Sequence, residues 1–316
     1  MIYAYGLTQQ GAYHIKQNMV CQDSHNIIKF GEDMIVAAVA DGLGSEQYSD
    51  IASRLAADIS TNYCAENIQH SSSDEDILDI IQQSFQQAQW TIEQTCVEQG
   101  HEADQYDTTL SLAVLINDSL YYGHSGDSGI VALTTEGLYY KVTTQQRDED
   151  GRVFPLFFGP EKWEFGKFNQ SVVSVFLATD GMYEILFPIY IRNEKVNIYV
   201  ALAQFFMDPQ ALHIEELGEP TVQAEMDKFV SSISEAQVND DKTIVVMMNT
   251  SIKYTKQFDS YYAEPNWCEL KKKYAEAWKR AAYPQLFKDI SDVAPIEETD
   301  TDTLGGQEET TDEESI

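Results

Sequence analysis

The sequence predicts an α+β protein built in layers. Two observations carry this: the order in which hydrophobic periods change along the chain, and the supply of apolar residues. Short strand-like runs come first, then two helical stripes, then many short runs, then helices and a last run. An alternating parallel βαβ fold would interleave them one by one. With 316 residues and 43% of them hydrophobic, the chain can bury a substantial core.

Residues 34–40 (MIVAAVA) form a short apolar run that stops at Asp41-Gly42, which reads as a buried strand ending in a turn. Ile51, Leu55, Ile59 and Tyr63 then recur every four residues, one face of an amphipathic helix. The polar stretch Ser71-Ser72-Ser73-Asp74 offers an N-cap to a second stripe, Ile77, Ile81, Phe85, Ala88 and Ile92. The period changes at Leu110, Leu112, Val114 and Ile116, which alternate, so 108–116 is a strand. Short strands are expected at 119–123, 129–134 and 138–143. Residues 172–178 (VVSVFLA) run into Thr179-Asp180-Gly181. Residues 196–206 and 222–235 have helical character, and the last strand, 243–248 (TIVVMM), follows Asn239-Asp240-Asp241. No internal repeat is present.

The character shifts after about residue 250. This divides the chain into a main domain, 1–250, a helical extension, 251–290, and an acidic tail, 291–316. In the extension Trp267, Leu270, Tyr274, Ala277, Trp278 and Ala281 have helical spacing, interleaved with Lys271, Lys272, Lys273, Lys279 and Arg280. Such a stripe most often docks on its own domain; a partner-docking helix is the sharper alternative. The tail is acidic, rich in Thr and nearly free of aromatics, so disorder is expected there.

Fifty-two acidic residues against 20 basic ones give a formal net charge of -32. That balance argues against nucleic acid as partner, which is held by clustered Lys and Arg, and against an anionic membrane surface. Cys21, Cys64, Cys96 and Cys268 form no CxxC pair and no zinc spacing. The start, MIYAYGLTQQ, lacks the basic flank and apolar run of a signal peptide, and no apolar stretch has the length of a membrane span. A cytoplasmic, reducing location is therefore expected.

The chemistry is carried by where the aspartates sit. Asp41, Asp180 and Asp240 each fall beside an apolar strand, and two of them are in Asp-Gly pairs. Strand ends hold a carboxylate rigidly, and glycine lets backbone and ligand approach. Asp23 follows Cys21-Gln22, and Asp127 sits in Gly126-Asp127-Ser128-Gly129. Converging carboxylates repel one another unless cations neutralise them, and Mg2+ and Mn2+ favour such oxygen ligands. Two ions about 3.5–4 Å apart can share a hydroxide nucleophile and neutralise phosphoryl oxygens. Any one of these Asp residues, taken alone, is most simply a turn residue.

As an ordered set the motifs resemble the metal-dependent serine/threonine protein phosphatases of type 2C, in their prokaryotic-like branch. The resemblance rests on Cys21-Gln22-Asp23, Val39-Ala40-Asp41-Gly42-Leu43-Gly44, Asp107-Thr108-Thr109, Gly126-Asp127-Ser128, Thr179-Asp180-Gly181-Met182 and Asn239-Asp240-Asp241-Lys242-Thr243. It covers about residues 1–250. It implies a four-layer α/β/β/α sandwich of two antiparallel sheets flanked by helices, with a Mg2+ or Mn2+ pair between the sheets. By motif, Asp41 bridges the two metals and the Gly42 carbonyl is a further ligand. Asp180, Asp240 and Asp23 serve the same centre, and Asp127 matches the aspartate of a third, weaker site. In the doublet Asp240-Asp241 the first Asp is the ligand.

Three departures bear on mechanism. The position before the first aspartate is Gln22 where the family often has an acid. The animal-type general-acid His is Leu43, and the phosphate-gripping Arg is Asn18. His14 is the candidate acid and Lys16 the candidate grip; an ordinary partly exposed histidine is the plain alternative for His14. His124 is assigned to packing or hydrogen bonding. The expected function is hydrolysis of phosphoserine and phosphothreonine in a protein, a Ser/Thr kinase or its target, by a two-metal-activated water. A weak or inactive module that binds a phosphoprotein or kinase is the alternative, and a hydrolase of small phosphate esters the third.

Overall fold

The computed structural model describes residues 1–287, and the acidic tail expected from 291 onward lies outside them. The chain falls into two compact units, Met1–Trp267 and the segment that begins at Cys268. In chain order the elements are β1 (Ile2–Gln9), α1 (Ala12–Gln17), β2 (Asp23–Phe30), β3 (Met34–Asp41), α2 (Ser49–Asn67), α3 (Asp74–Gln99), β4 (Leu110–Ile116) and β5 (Ser119–Ser125). There follow β6 (Gly129–Thr134), β7 (Tyr139–Lys141), β8 (Glu164–Lys167), β9 (Val172–Ala178), α4 (Asp180–Tyr183), α5 (Val200–Met207), α6 (Ile214–Leu217), α7 (Glu219–Ser232), β10 (Lys242–Asn249) and α8 (Trp267–Ala282).

Ten strands form two five-stranded antiparallel sheets, β1-β10-β9-β6-β7 and β2-β3-β4-β5-β8. The alternation of side chains explains the layering. On β3, Ile35, Ala37 and Val39 point into a core shared with Ile130, Ala132, Val175, Leu177, Val245 and Met247 of the opposite sheet. Met34, Val36, Ala38 and Ala40 point the other way, onto α2 and α3, where Ala52, Ala56, Ile81, Phe85 and Ala88 meet them. A strand buried on both faces reads as an unbroken apolar run, which is why 34–40 is so legible. On the far side, Ile244, Val246 and Met248 of β10 pack with Phe206 of α5 and Val222, Met226 and Val230 of α7. The result is the expected α/β/β/α sandwich.

Ser73 is the cap of α3: its hydroxyl accepts from Asp76 N–H at 3.2 Å while the Asp76 carboxylate accepts from Ser73 N–H at 2.9 Å. The helix expected over 196–206 is shorter and starts at Val200, because the Tyr199 N–H is held by the Leu186 carbonyl at 2.8 Å. The helix expected over 222–235 lies three residues earlier, with Pro220 in its first turn. Three strands, β1, β2 and the short β8 (Glu164–Lys167), have no clear sequence signature. β1 is interrupted by Gly6, where a Cβ would meet His25 and Ile27, and β2 opens on the polar residues Asp23, Ser24, His25 and Asn26. Among the described residues no helix is long and apolar enough to cross a membrane.

Candidate metal centre

The aspartates gather at one end of the sandwich because several strands start or stop there. Asp23 opens β2 and Asp41 closes β3, and the two are direct partners in the antiparallel register. β9 ends at Ala178, so Thr179 caps and Asp180 begins α4. β10 starts at Lys242, just after Asp240-Asp241, and pairs Ile244 with Ala178. Asp127 occupies the turn from β5 to β6, whose first residue, Gly129, also pairs with Ala178. Carboxylate oxygens of Asp41, Asp127 and Asp180 lie within 4.8 Å of one another.

The backbone around Asp41 is pinned by the motif Asp107-Thr108-Thr109. The Thr109 hydroxyl accepts from Asp41 N–H at 3.0 Å. The Asp41 carbonyl accepts from Thr109 N–H at 2.8 Å and from the Thr108 hydroxyl at 2.9 Å. Leu43 N–H donates to the Asp107 carbonyl at 3.0 Å, and Gly42 N–H to the Gln22 carbonyl at 3.1 Å. A Cβ on Gly42 would stand 2.6 Å from the Ser49 carbonyl oxygen and 2.8 Å from that of Gln22. Only glycine lets the three segments close on the aspartate. Asp23 is held from the other sheet, its carboxylate accepting from the Thr179 hydroxyl at 2.7 Å.

The carboxylates of the centre raise one another. Burial, then the charges of Asp23, Asp180, Asp127 and Asp240, push the Asp41 carboxyl well above the usual range. Burial and the Asp241 charge do the same to Asp23. Asp180 is pushed up to about 7 by burial, then by Asp127, Asp240 and Glu184. Buried carboxylates that raise one another in this way are a donor set that calls for a cation. All the donors are hard oxygens, which suits Mg2+ or Mn2+ and disfavours softer ions.

Asp240 and Asp241 differ sharply. The Asp240 side chain is 54% exposed, and its charge acts on both Asp41 and Asp180. The Asp241 carboxylate is buried and already engaged: it accepts from Gly11 N–H and Gln22 N–H, each at 2.6 Å, and meets His14 Nδ1 at 2.8 Å. Asp241 thus ties α1 and the start of β2 to β10. His14 on α1 is buried, with Nε2 3.9 Å from Asp240. Lys16, on the same short helix, carries its ammonium to Glu235 at 2.7 Å, an exposed pair. His124 is fully buried between the Ser111 hydroxyl, 2.8 Å from Nδ1, and the Thr144 carbonyl, 3.1 Å from Nε2. Burial lowers it to about 4, so it is a neutral hydrogen-bonding residue. Burial, then Asp241 and Asp23, drive the Cys21 thiol upward, so it stays protonated.

Arg147 has no place in the sequence-derived set. It stands in the segment between β7 and β8, with Nη2 2.7 Å from Asp127, 3.3 Å from Asp180 and 3.3 Å from Glu184. Nothing in the run Gln145-Gln146-Arg147-Asp148 marks it as a site residue, because its partners are distant in sequence. Thr179 and Thr109 were legible only as motif neighbours, and their hydroxyls prove to orient Asp23 and Asp41.

A family profile described as protein phosphatase 2C matches residues 10–231. No curated protein matches the chain. Among solved structures, a bacterial serine phosphatase superposes with a TM-score of 0.53 at 13% identity, covering 81% of this chain and 100% of that one. The serine/threonine phosphatase of S. agalactiae gives 0.51 at 16% identity, with 78% and 99% covered. That of Mycobacterium tuberculosis, PstP/Ppp, gives 0.50 at 14%, with 78% and 98% covered. At these identities the structures share the fold.

Proposed function

The chain belongs to the protein phosphatase 2C family, metal-dependent serine/threonine phosphatases, and from that premise we propose how its own residues divide the work. The observation that carries the reading is the convergence of half-buried Asp41 and Asp180 with buried Asp127, their charges felt together with those of Asp23 and Asp240, at one end of the two sheets. Two divalent cations, Mn2+ or Mg2+, would be held there by Asp41, the Gly42 carbonyl, Asp23, Asp180 and Asp240. Asp127 stands beside Asp180, at the position that the motif gives to a third, weaker ion. Bound there, the cations supply an acidified water and neutralise the phosphoryl oxygens.

The protein side of the reaction is orientation and proton handling. Thr108 and Thr109 hold the Asp41 backbone, which fixes the point from which its carboxylate reaches the centre. His14, with Nδ1 2.8 Å from Asp241 and Nε2 3.9 Å from Asp240, is the proposed donor to the leaving alkoxide. Lys16 is the proposed phosphate grip. It must leave Glu235 to act, and an exposed pair of that kind is worth at most about 1 kcal/mol, so the exchange costs little. A loose phosphoryl-transfer transition state asks little of an acid, which is compatible with Leu43 standing where animal-type members have histidine. The substrate is a phosphoserine or phosphothreonine protein, a Ser/Thr kinase or its target, in the cytoplasm.

The test is Mn2+-dependent hydrolysis of a phosphothreonine peptide by wild type, Asp41→Asn and Asp180→Asn. Turnover that needs the metal and is lost in both variants supports the assignment. An inert wild type, with metal and several peptides supplied, transfers the reading to a phosphoprotein-binding module, which the missing Arg and His at Asn18 and Leu43 would then explain.

A further inference from the structure

We propose that Arg147 is a built-in cation of this centre: its guanidinium takes the place of a third metal ion between Asp127 and Asp180, so the chain binds two divalent cations and not three. The inference rests on the two-cation reading above. One nitrogen, Nη2, approaches three carboxylates at once, Asp127 at 2.7 Å and Asp180 and Glu184 at 3.3 Å. A single positive centre among three oxygens is the arrangement of a bound ion, not of the two-nitrogen fork by which arginine usually takes one carboxylate.

Two features separate this from an incidental surface pair. Asp127 is 5% exposed in its side chain, and among the described residues Arg147 is its one ion-pair partner. Burial still holds the Asp127 carboxyl above its ordinary value, and Arg147 is the largest influence that pulls it back down, offsetting part of the desolvation penalty. Arg147 is also placed by the backbone. Gln146 N–H donates to the Gly126 carbonyl at 2.8 Å, and Gly126 N–H to the Gln146 side chain at 3.2 Å. The Gln145 side chain donates to the Asp127 carbonyl at 2.8 Å. On the other side Arg147 bridges to Val153 and Phe154 N–H bonds the Gln146 carbonyl at 3.0 Å. The segment carrying the arginine is thus stitched to the turn carrying the aspartate. A permanent guanidinium cannot dissociate on dilution, so this local charge is independent of the free metal concentration, and an ion entering the same spot must first displace it.

The experiment counts Mn2+ bound per full-length chain by titration calorimetry, checked by electron paramagnetic resonance of free Mn2+ at equilibrium. Wild type is expected to bind two ions. Arg147→Met, which keeps bulk and removes charge, is expected to gain a third and weaker site, and the gain should vanish when Asp127→Asn is added. Asp127→Asn alone should still bind two. Three ions on wild type, a count that stays at two in a folded Arg147→Met, or loss of an ion in Asp127→Asn alone would each overturn the proposal. The wild-type count and Asp127→Asn decide the matter if Arg147→Met does not fold. Absence of any Mn2+ binding in wild type would instead sink the two-cation reading, and the proposal with it.

Discussion

Replacing Asp180 with asparagine is expected to stabilise the metal-free protein at pH 8 and to change it little at pH 4.5. In the folded chain the Asp180 carboxyl is pushed from 3.8 to about 7, first by burial and then by Asp127, Asp240 and Glu184. A group raised in the folded state contributes its full stability below the unfolded value and loses it as pH rises through the folded one. The loss therefore runs from about pH 4 to about pH 7, and it amounts to ~4 kcal/mol. Asparagine has nearly the same shape and no charge to bury, so it escapes the loss. It also gives up the contact to Arg147 at 3.3 Å, worth up to about 1 kcal/mol. The net gain at pH 8 is then about 3 kcal/mol, or about 6 °C in Tm for a domain of this size. The assay is thermal unfolding in a chelator at pH 4.5 and pH 8, repeated with Mn2+ at pH 8. With Mn2+ the order should reverse, because wild type gains binding energy and the variant has lost a ligand. A variant no more stable than wild type at pH 8 without metal, or a difference that does not change with pH, would refute the electrostatic account.

Other expectations follow from single contacts. Asp241→Ala should destabilise by about 2–5 kcal/mol, since the buried N–H groups of Gly11 and Gln22 lose their acceptor; Asp241→Asn, which keeps an acceptor oxygen, should lose clearly less in urea unfolding. Gly42→Ala should weaken Mn2+ binding about 10-fold or more, because its Cβ meets the backbone carbonyls of Ser49 and Gln22; unchanged affinity by calorimetry would mean the loop yields without cost. His14→Gln should slow a phosphothreonine peptide more than an activated aryl phosphate, whose leaving group needs no proton. Equal slowing of the two substrates would make His14 a residue that only positions Asp240 and Asp241.

The elements most readable in the sequence are those whose burial is two-sided or whose stripe is long. Residues 34–40 and 244–248 stand between two apolar layers, so every position is apolar, and α3 announces itself through Ser73 and the stripe from Ile77 to Ile92. β1 and β2 were not legible, because each places glycine or polar side chains where the two sheets and the centre meet. α1 was missed too: six residues give too little periodicity to register, and its hold on the protein is the reach of Asp241 to Gly11 and His14 across more than two hundred residues.

The sequence by itself determined the layered class, the family resemblance and the identity of the aspartates, since each follows from local periodicity or from residues adjacent in a motif. Only the tertiary structure decided which of them face one another. Asp23 meets Asp41 through a strand register, Asp127 meets Asp180 through the pairing of Gly129 with Ala178, and Arg147 meets both from a separate segment. Charge interaction depends on distance and dielectric, not on order along the chain, so the cation that sits among the carboxylates left no mark in the sequence around it.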